Sequence, residues 1–163
     1  MSGEAVAFYA LAAIILGSGL VVVTSRNIVH SAVALIPAFL GVTGLYVLLT
    51  AEFVAVIQVL IYAGAITVLI LFVIMLTEGG TGLRTPQRNE QGVVGAAVAL
   101  AMAALLVAVV ARSPWGGVTA PLAYTPGDIG RSFLGTNLLV FEGTSIVLLV
   151  SLVGANIIAR KED

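Results

Sequence analysis

Apolar residues fill five stretches of the chain, each about as long as one crossing of a lipid bilayer. A membrane-spanning helix uses about 20 apolar residues, so each stretch predicts one spanning helix. We therefore expect an all-α integral membrane protein, with residues 1–163 forming a single membrane domain that is a bundle of five transmembrane helices. The predicted helices cover residues 5–24, 29–50, 53–77, 92–111 and 138–159.

The breaks between these stretches predict how neighbouring helices are connected. Residues 24–27 form a polar cluster that can cap helix ends, and residues 50–52 leave room only for a hairpin. The first three helices should therefore be antiparallel neighbours. The two longer breaks, residues 78–91 and 112–136, are polar and predict loops; the second contains Pro114, Pro121 and Pro126.

Composition excludes several classes of function. Hydrophobic residues make up 60% of the chain and charged residues only 9%, against about a quarter charged residues in soluble domains. The formal net charge of -1 argues against nucleic-acid binding, which needs clustered Lys and Arg. With no Cys and one His, the chain cannot by itself ligate an iron-sulfur cluster, a bis-His haem or a structural zinc. We expect no catalytic residue, metal site or cofactor within this chain.

Basic residues predict the orientation, because cytoplasmic loops carry an excess of Lys and Arg. An outside N-terminus and a cytoplasmic C-terminus leave two basic residues outside, Arg112 and Arg131. The inside segments then hold five, which are Arg26, Arg84, Arg88, Arg160 and Lys161.

No charged residue lies near the midpoint of a predicted helix, where an acid or base usually marks an ion path. Glu52 lies in the outer hairpin and Glu142 about one turn inside the fifth helix, so we interpret both as interfacial carboxylates. Glu142 is the better functional candidate, with a partner at the outer face supplying a hydrogen bond. His30 has only Arg26 nearby, which does not deprotonate, so we interpret it as an interfacial, hydrogen-bonded histidine and not a proton shuttle.

Small residues line one face of the second predicted helix at spacings of three and four. Such a face lets membrane helices approach closely and predicts a packing seam. Pro37 removes one backbone hydrogen bond and should bend the helix near its middle. The face consists of Ala34, Pro37, Gly41 and Gly44.

The third predicted helix carries a continuous stripe of small and polar residues, Ala51, Ala55, Gln58, Tyr62 and Ala65. Polar groups facing lipid would lack partners, so the stripe must face protein or water. Two roles remain open, hydrogen bonding between helices alone or participation in transport. Gly64 and the β-branched residues 66–68 make regular helix less favoured here, which predicts a local irregularity.

The sequence resembles subunit J of NADH-quinone oxidoreductase, respiratory complex I, over about 110 residues. The resemblance continues into the fifth helix with Phe141-Glu142, residues 148–152 and Gly154-Ala155. It departs at Ile28, where the family often has Pro, and at Pro37. Its strongest part is residues 26–76, with Val29-His30-Ser31-Ala32, Gly44-Leu45-Tyr46, Ala51-Glu52-Phe53, Gln58-Val59, Tyr62-Ala63-Gly64-Ala65 and Leu71-Phe72-Val73-Ile74-Met75-Leu76.

The resemblance implies a five-helix membrane-arm subunit that couples quinone reduction to proton pumping and is not itself the catalytic subunit. In that family the third helix can hold a π-bulge beside the motif that is here Tyr62 to Ala65. The bulge is expected to form and relax as the enzyme changes state. This makes Gln58, Tyr62, Gly64 and Ala65 the candidate coupling residues.

The same resemblance implies partners and location. The expected neighbours are a small three-helix subunit carrying glutamates, the quinone-site subunit and the lipid bilayer of a bacterial inner membrane. NADH, FMN, iron-sulfur clusters and quinone would be bound by partner subunits. The alternative is a small subunit of a related multisubunit cation/proton antiporter or membrane-bound hydrogenase. A self-sufficient transporter should show paired repeats and midplane charges, and the sequence shows neither.

Overall fold

The computed structural model describes residues 3–78, 91–113 and 125–160, and these are helical apart from short turns and caps. Five helices within those ranges are long and apolar enough to cross a membrane. The all-α membrane fold and the number of spans predicted from the sequence are confirmed.

The predicted helices agree with the observed ones to within two residues at every end. The third span is composite, because a π-helical segment lies between two α-helices. The helices are α1 (Gly3–Thr24), α2 (Ile28–Leu48), α3 (Glu52–Ile57), the π segment (Gln58–Ile66), α4 (Thr67–Glu78), α5 (Gly92–Arg112), α6 (Pro126–Leu134) and α7 (Leu138–Ala159).

The connection between α1 and α2 is fixed by side-chain hydrogen bonds to the backbone. The Asn27 side chain accepts hydrogen bonds from the backbone N–H groups of Val29, at 2.9 Å, and His30, at 3.2 Å. It therefore satisfies two of the amides that a helix start leaves unpaired. The Ser31 hydroxyl donates to the Val22 carbonyl at 2.8 Å, which ties the start of α2 to the end of α1.

The connection between α2 and α3 is a tight turn that places Thr50 at a φ of 56°. The N–H of Ala51 donates to the Tyr46 carbonyl, five residues earlier, at 2.9 Å. This is the closing bond of a Schellman motif, whose left-handed position is usually glycine. A β-branched residue such as Thr50 is strained in this conformation. The predicted hairpin is confirmed.

Glycines on α2 allow it to pack closely against α1. A Cβ added at Gly41 would lie 2.6 Å from Cγ1 of Ile15, and one added at Gly44 would overlap the Leu11 side chain. The predicted seam is thus confirmed at the two glycines. Pro37 is exposed in the described residues, so packing at that position stays a prediction. The bend at Pro37 stays a prediction.

The remaining spans are unlike the first three. In the described residues, neither α5 nor α7 packs extensively against α1, α2 or the third span, and almost every side chain of both is exposed.

The sequence predicts that residues 112–136 are a loop, and this is wrong for α6. Pro126 occupies the first turn of α6, and Thr125 and Asp128 form a capping box, so the proline starts a helix here. Of the other predicted loop, residues 79–90 lie outside the described residues.

Candidate functional site in the third span

The third span changes its helical type at the residues that the sequence singles out. The π segment runs for nine residues, from Gln58 to Ile66, and continues directly into α4. All four candidate coupling residues, Gln58, Tyr62, Gly64 and Ala65, lie inside it. The predicted irregularity is confirmed.

The carbonyl of Tyr62 accepts hydrogen bonds across the junction between the π segment and α4. The backbone N–H of Thr67 donates to two carbonyls, that of Gly64 and that of Tyr62, which is five residues earlier. The Thr67 hydroxyl also donates to the Tyr62 carbonyl, at 2.7 Å. The hydroxyls of Thr43 and Thr77 instead reach carbonyls four residues back. Thr67 is thus fitted to the wider turn of a π-helix.

The π segment moves the buried face of the third span. Ala55 and Gln58 are buried, with Gln58 7% exposed. At α-helical spacing the buried face would continue through Tyr62 and Ala65, yet Tyr62 is 45% exposed and Ala65 is exposed too. The next fully buried residue is Thr67.

Within this chain the stripe is therefore buried only at Ala55 and Gln58, while Tyr62 and Ala65 are exposed. That the exposed part of the stripe faces a partner protein or water stays a prediction. The stripe's spacing of three and four assumes 3.6 residues per turn. A π turn takes more residues, so the positions that point inward come later in the sequence. Ala63 and Gly64 are half-buried instead.

Gly64 occupies a narrow place in this segment. A Cβ added there would lie 3.3 Å from the carbonyl oxygen of Val59, which is five residues earlier and is brought close by the π turn. Any side chain there would require that carbonyl to shift by a few tenths of an ångström. On the adjacent turn the Tyr62 ring packs edge-on against Phe39 of α2, with ring centroids 5.5 Å apart and planes inclined by 66°. This ring contact joins the π segment to α2.

The predicted interfacial groups lie away from the π segment. Glu52 is exposed in the first turn of α3, and Glu142 is exposed near the start of α7. His30 is exposed at the start of α2. Their roles as interfacial groups stay predictions, and so does the outer-face partner of Glu142.

The chemistry that this arrangement allows is conformational. In the part of the chain that the structure describes, no three His, Cys, Asp or Glu residues are grouped as a metal site would need. The π segment contains the Tyr62 hydroxyl and the Gln58 amide, which can change hydrogen-bond partners, and Gly64, which has no side chain. Thr67 is the residue that sequence reasoning missed. From the sequence, Thr67 counts only as one of the β-branched residues 66–68, whereas the signal for its role is a hydroxyl between the apolar Ile66 and Val68.

Comparison with known proteins identifies similar sequences over almost the whole chain. Residues 18–158 match the family model described as NADH-ubiquinone/plastoquinone oxidoreductase chain 6. NAD(P)H-quinone oxidoreductase chain 6 of Leptolyngbya boryana is 44% identical, covering 98% of this chain and 81% of its own length. F(420)H(2) dehydrogenase subunit J of Methanosarcina mazei is 38% identical, covering 98% and 92%. NADH-quinone oxidoreductase subunit J of Rhodobacter capsulatus is 36% identical, covering 91% and 78%.

Proposed function

The chain belongs to the NADH-ubiquinone/plastoquinone oxidoreductase chain 6 family, and from that premise we propose that its third span couples quinone reduction to proton translocation by changing helical register. It is a multi-pass membrane subunit of a complex I-type oxidoreductase. The observation that carries the proposal is the π segment, with the displaced buried face that it produces.

Two registers of the third span would present different side chains to the same neighbour. In the π register, Thr67 points inward and Tyr62 is exposed. In a fully α-helical register, the spacing from Ala55 and Gln58 would bring Tyr62 and Ala65 to the inner face. One inserted residue turns the rest of the helix by about 100°. Such a turn would replace Thr67 by Tyr62 and Ala65 at the inner face and so change the polar groups presented to the neighbouring helix.

The free-energy difference between the registers is small enough to be controlled by events elsewhere. Both registers keep most backbone hydrogen bonds, and one bond contributes about 1 kcal/mol net. Coupling free energies between distant sites are typically about 1–3 kcal/mol. A reaction in the quinone-reducing part of the complex can therefore shift this equilibrium.

The redox chemistry is proposed to reside in partner subunits. The sequence has no Cys and a single His, so it lacks the ligands that a cysteine-held iron-sulfur cluster or a bis-His haem needs. The relatives' names give three donors, NADH, NAD(P)H and F(420)H(2). Related subunits thus serve complexes with different donors, which supports a role remote from donor oxidation. NADH, FMN and quinone are accordingly assigned to partners.

The partner interactions are proposed from the exposed surfaces. α5 and α7 expose apolar residues on all sides within the described range, so other membrane subunits or lipid must cover them. The small glutamate-bearing subunit and the quinone-site subunit are the proposed neighbours. Because no described span has an Asp, Glu, His, Lys or Arg at its middle, protons would travel on partner carboxylates. The three relatives are all named as oxidoreductase or dehydrogenase subunits, which favours this function over an antiporter or a hydrogenase subunit.

The orientation stays a proposal from the basic residues, with the N-terminus outside. Because the chain has no native Cys, single-cysteine variants report sidedness directly. A Cys at Thr50 should react with an impermeant reagent added to intact cells, and a Cys at Ser25 should not. The reverse pattern would invert the topology.

Substitution of Gly64 tests the register change. Gly64→Leu adds bulk where even a Cβ lies 3.3 Å from the Val59 carbonyl, so quinone reduction and proton pumping in membranes should both fall strongly. Tyr62→Phe deletes only a hydroxyl, so we expect assembly to be intact. Coupled turnover should fall partially, because we propose that this hydroxyl holds one of the two registers by a hydrogen bond of about 1 kcal/mol.

The matched control is Gly95→Leu, because a Cβ at Gly95 meets nothing within 4 Å. It places the same side chain in a span without a π segment. If the complex with Gly64→Leu assembles and pumps protons at the parent rate, the third span does not change register during turnover. Family membership would stand, and the coupling proposal would fail.

A further inference from the structure

The short helix α6 is bonded to the beginning of a membrane span. The backbone N–H of Asn137 donates to the Ser132 carbonyl at 2.9 Å, and the Asn137 side-chain amide donates to the Ser132 hydroxyl at 2.8 Å. The span α7 begins at Leu138, four residues after α6 ends. The depth of α6 is therefore set by that of α7, at the boundary between hydrocarbon and water.

The side chains of α6 separate into two faces. At 100° per residue, Ile129 and Phe133 lie on one side, together with Gly130. Asp128 and Arg131 lie on the opposite side, where they are exposed and form an ion pair at 3.7 Å. Hydrogen bonds from the Thr125 hydroxyl and then the Thr125 N–H lower the pKa of Asp128, so this carboxylate is ionised at neutral pH.

The apolar face of α6 continues into the span. The rings of Phe133 and Phe141 are stacked, with centroids 5.8 Å apart and planes inclined by 17°. Phe141 lies in the first turn of α7, so the stack directs this face of α6 toward the hydrocarbon side. Leu134, at the end of α6, is 69% exposed. In the residues that the structure describes, α7 is the one element against which α6 packs extensively.

We infer that α6 lies flat in the headgroup layer of the leaflet where α7 begins, with lipid acyl chains covering Ile129, Gly130 and Phe133. A helix with one apolar face and one charged face adopts this position at a membrane surface. Nine residues bury little apolar area, but the covalent connection to α7 holds α6 at the surface and raises its effective concentration there. The aromatic stack then fixes the rotation of α6 about its axis.

The experiment places a fluorescent bimane label on each face in turn. Ile129→Cys reports the apolar face, and Arg131→Cys is the matched polar variant two residues away. The labelled chains are assembled in the whole complex and reconstituted in vesicles. Quenching is measured with phosphatidylcholine brominated on its acyl chains and with iodide in the water. The parent complex, whose copy of this chain has no Cys, supplies the background from partner cysteines.

We expect brominated lipid to quench the label at position 129 at least twofold more than the label at position 131, and iodide to show the opposite order. Equal quenching of both labels by iodide would place α6 in water and overturn the inference. A label at position 129 quenched by neither agent would be covered by protein, which would also overturn it. If Ile129→Cys fails to assemble, Gly130→Cys reports the same face, because a Cβ there meets nothing within 4 Å.

Discussion

The first three spans and the last two have similar hydropathy but different surfaces. The mean hydropathy of α1, α2 and the third span lies between 2.0 and 2.9, and that of α5 and α7 is 2.8 and 2.1. Yet every buried residue in the described ranges lies between residues 3 and 78. Hydropathy determines that a helix enters the membrane, whereas small residues and hydrogen bonds determine what it packs against.

The buried residues of the first three spans show what that packing requires. They are Ala32, Gly41, Ala55, Gln58 and Thr67, all small or hydrogen-bonding. α5 is richer in alanine than any of the first three spans, but no other described helix packs extensively against it. The first three spans therefore form a folded unit, and the last two present surfaces for lipid and other subunits.

The largest expected effect comes from filling the seam of the folded unit. Gly44→Leu places a side chain on Leu11, with which even a Cβ would overlap, and overpacking typically costs about 1–3 kcal/mol or more. We expect the assembled complex to contain little of this variant, as measured by quantitative immunoblotting of purified membranes.

A glycine of α7 provides the control for the Gly44 substitution. Gly143 lies in α7, and a Cβ there meets nothing within 4 Å. Gly143→Leu should therefore disturb assembly less than Gly44→Leu. Equal tolerance of both substitutions would mean that the glycine seam does not stabilise the first three spans.

A smaller effect is expected from Thr67→Val, which keeps the shape of the side chain and removes the hydroxyl that bonds to the Tyr62 carbonyl. Losing one hydrogen bond costs about 1 kcal/mol. Backbone amide exchange across residues 58–67, followed by mass spectrometry, should become several-fold faster, and coupled turnover should change by up to about fivefold.

Thr144→Val is the matched substitution in α7, where the hydroxyl donates to the Phe141 carbonyl within an exposed α-helical turn. It should leave exchange across residues 58–67 at the parent rate. If the Thr67 variant also leaves that exchange unchanged, its hydroxyl does not stabilise the π segment.

The smallest effect is expected at Thr50, in the hairpin between α2 and α3. Thr50→Gly removes the steric strain of a φ of 56° and should raise stability by about 0.5–1 kcal/mol, since glycine's gain in unfolded entropy offsets part of the relief. A rise in the thermal unfolding midpoint of the complex's membrane part checks this. A lower midpoint would show that the Thr50 side chain makes a stabilising contact in the assembly.

The sequence could predict the spans because apolar length alone decides them. The apolar stretches at residues 5–24 and 138–159, for example, are long enough by themselves to predict α1 and α7. It could also indicate an irregularity near Tyr62 and Gly64, because glycine and β-branched residues disfavour regular helix.

Sequence reasoning did not predict Thr67 or the exposure of Tyr62. Both depend on the number of residues per turn, which hydrophobic periodicity assumes and cannot measure. The sequence predicts a loop over α6 because proline usually ends helices, although Thr125 and Asp128 provide the capping pattern of a helix start. The stripe from Ala51 to Ala65 describes the third span in an α-helical register, and the structure shows the other register.

The most direct test of the register change is to link the π segment to α2. The Tyr62 and Phe39 rings are in contact, so a Phe39→Cys, Tyr62→Cys pair can be joined by a short reversible bis-methanethiosulfonate in the assembled complex. A Val22→Cys, Ser31→Cys pair, bridging the fixed connection of α1 and α2, is the control link. We expect the link between positions 39 and 62 to stop coupled quinone reduction until a reductant releases it, and the control link to leave turnover unchanged. Full turnover with positions 39 and 62 completely linked would contradict the register change.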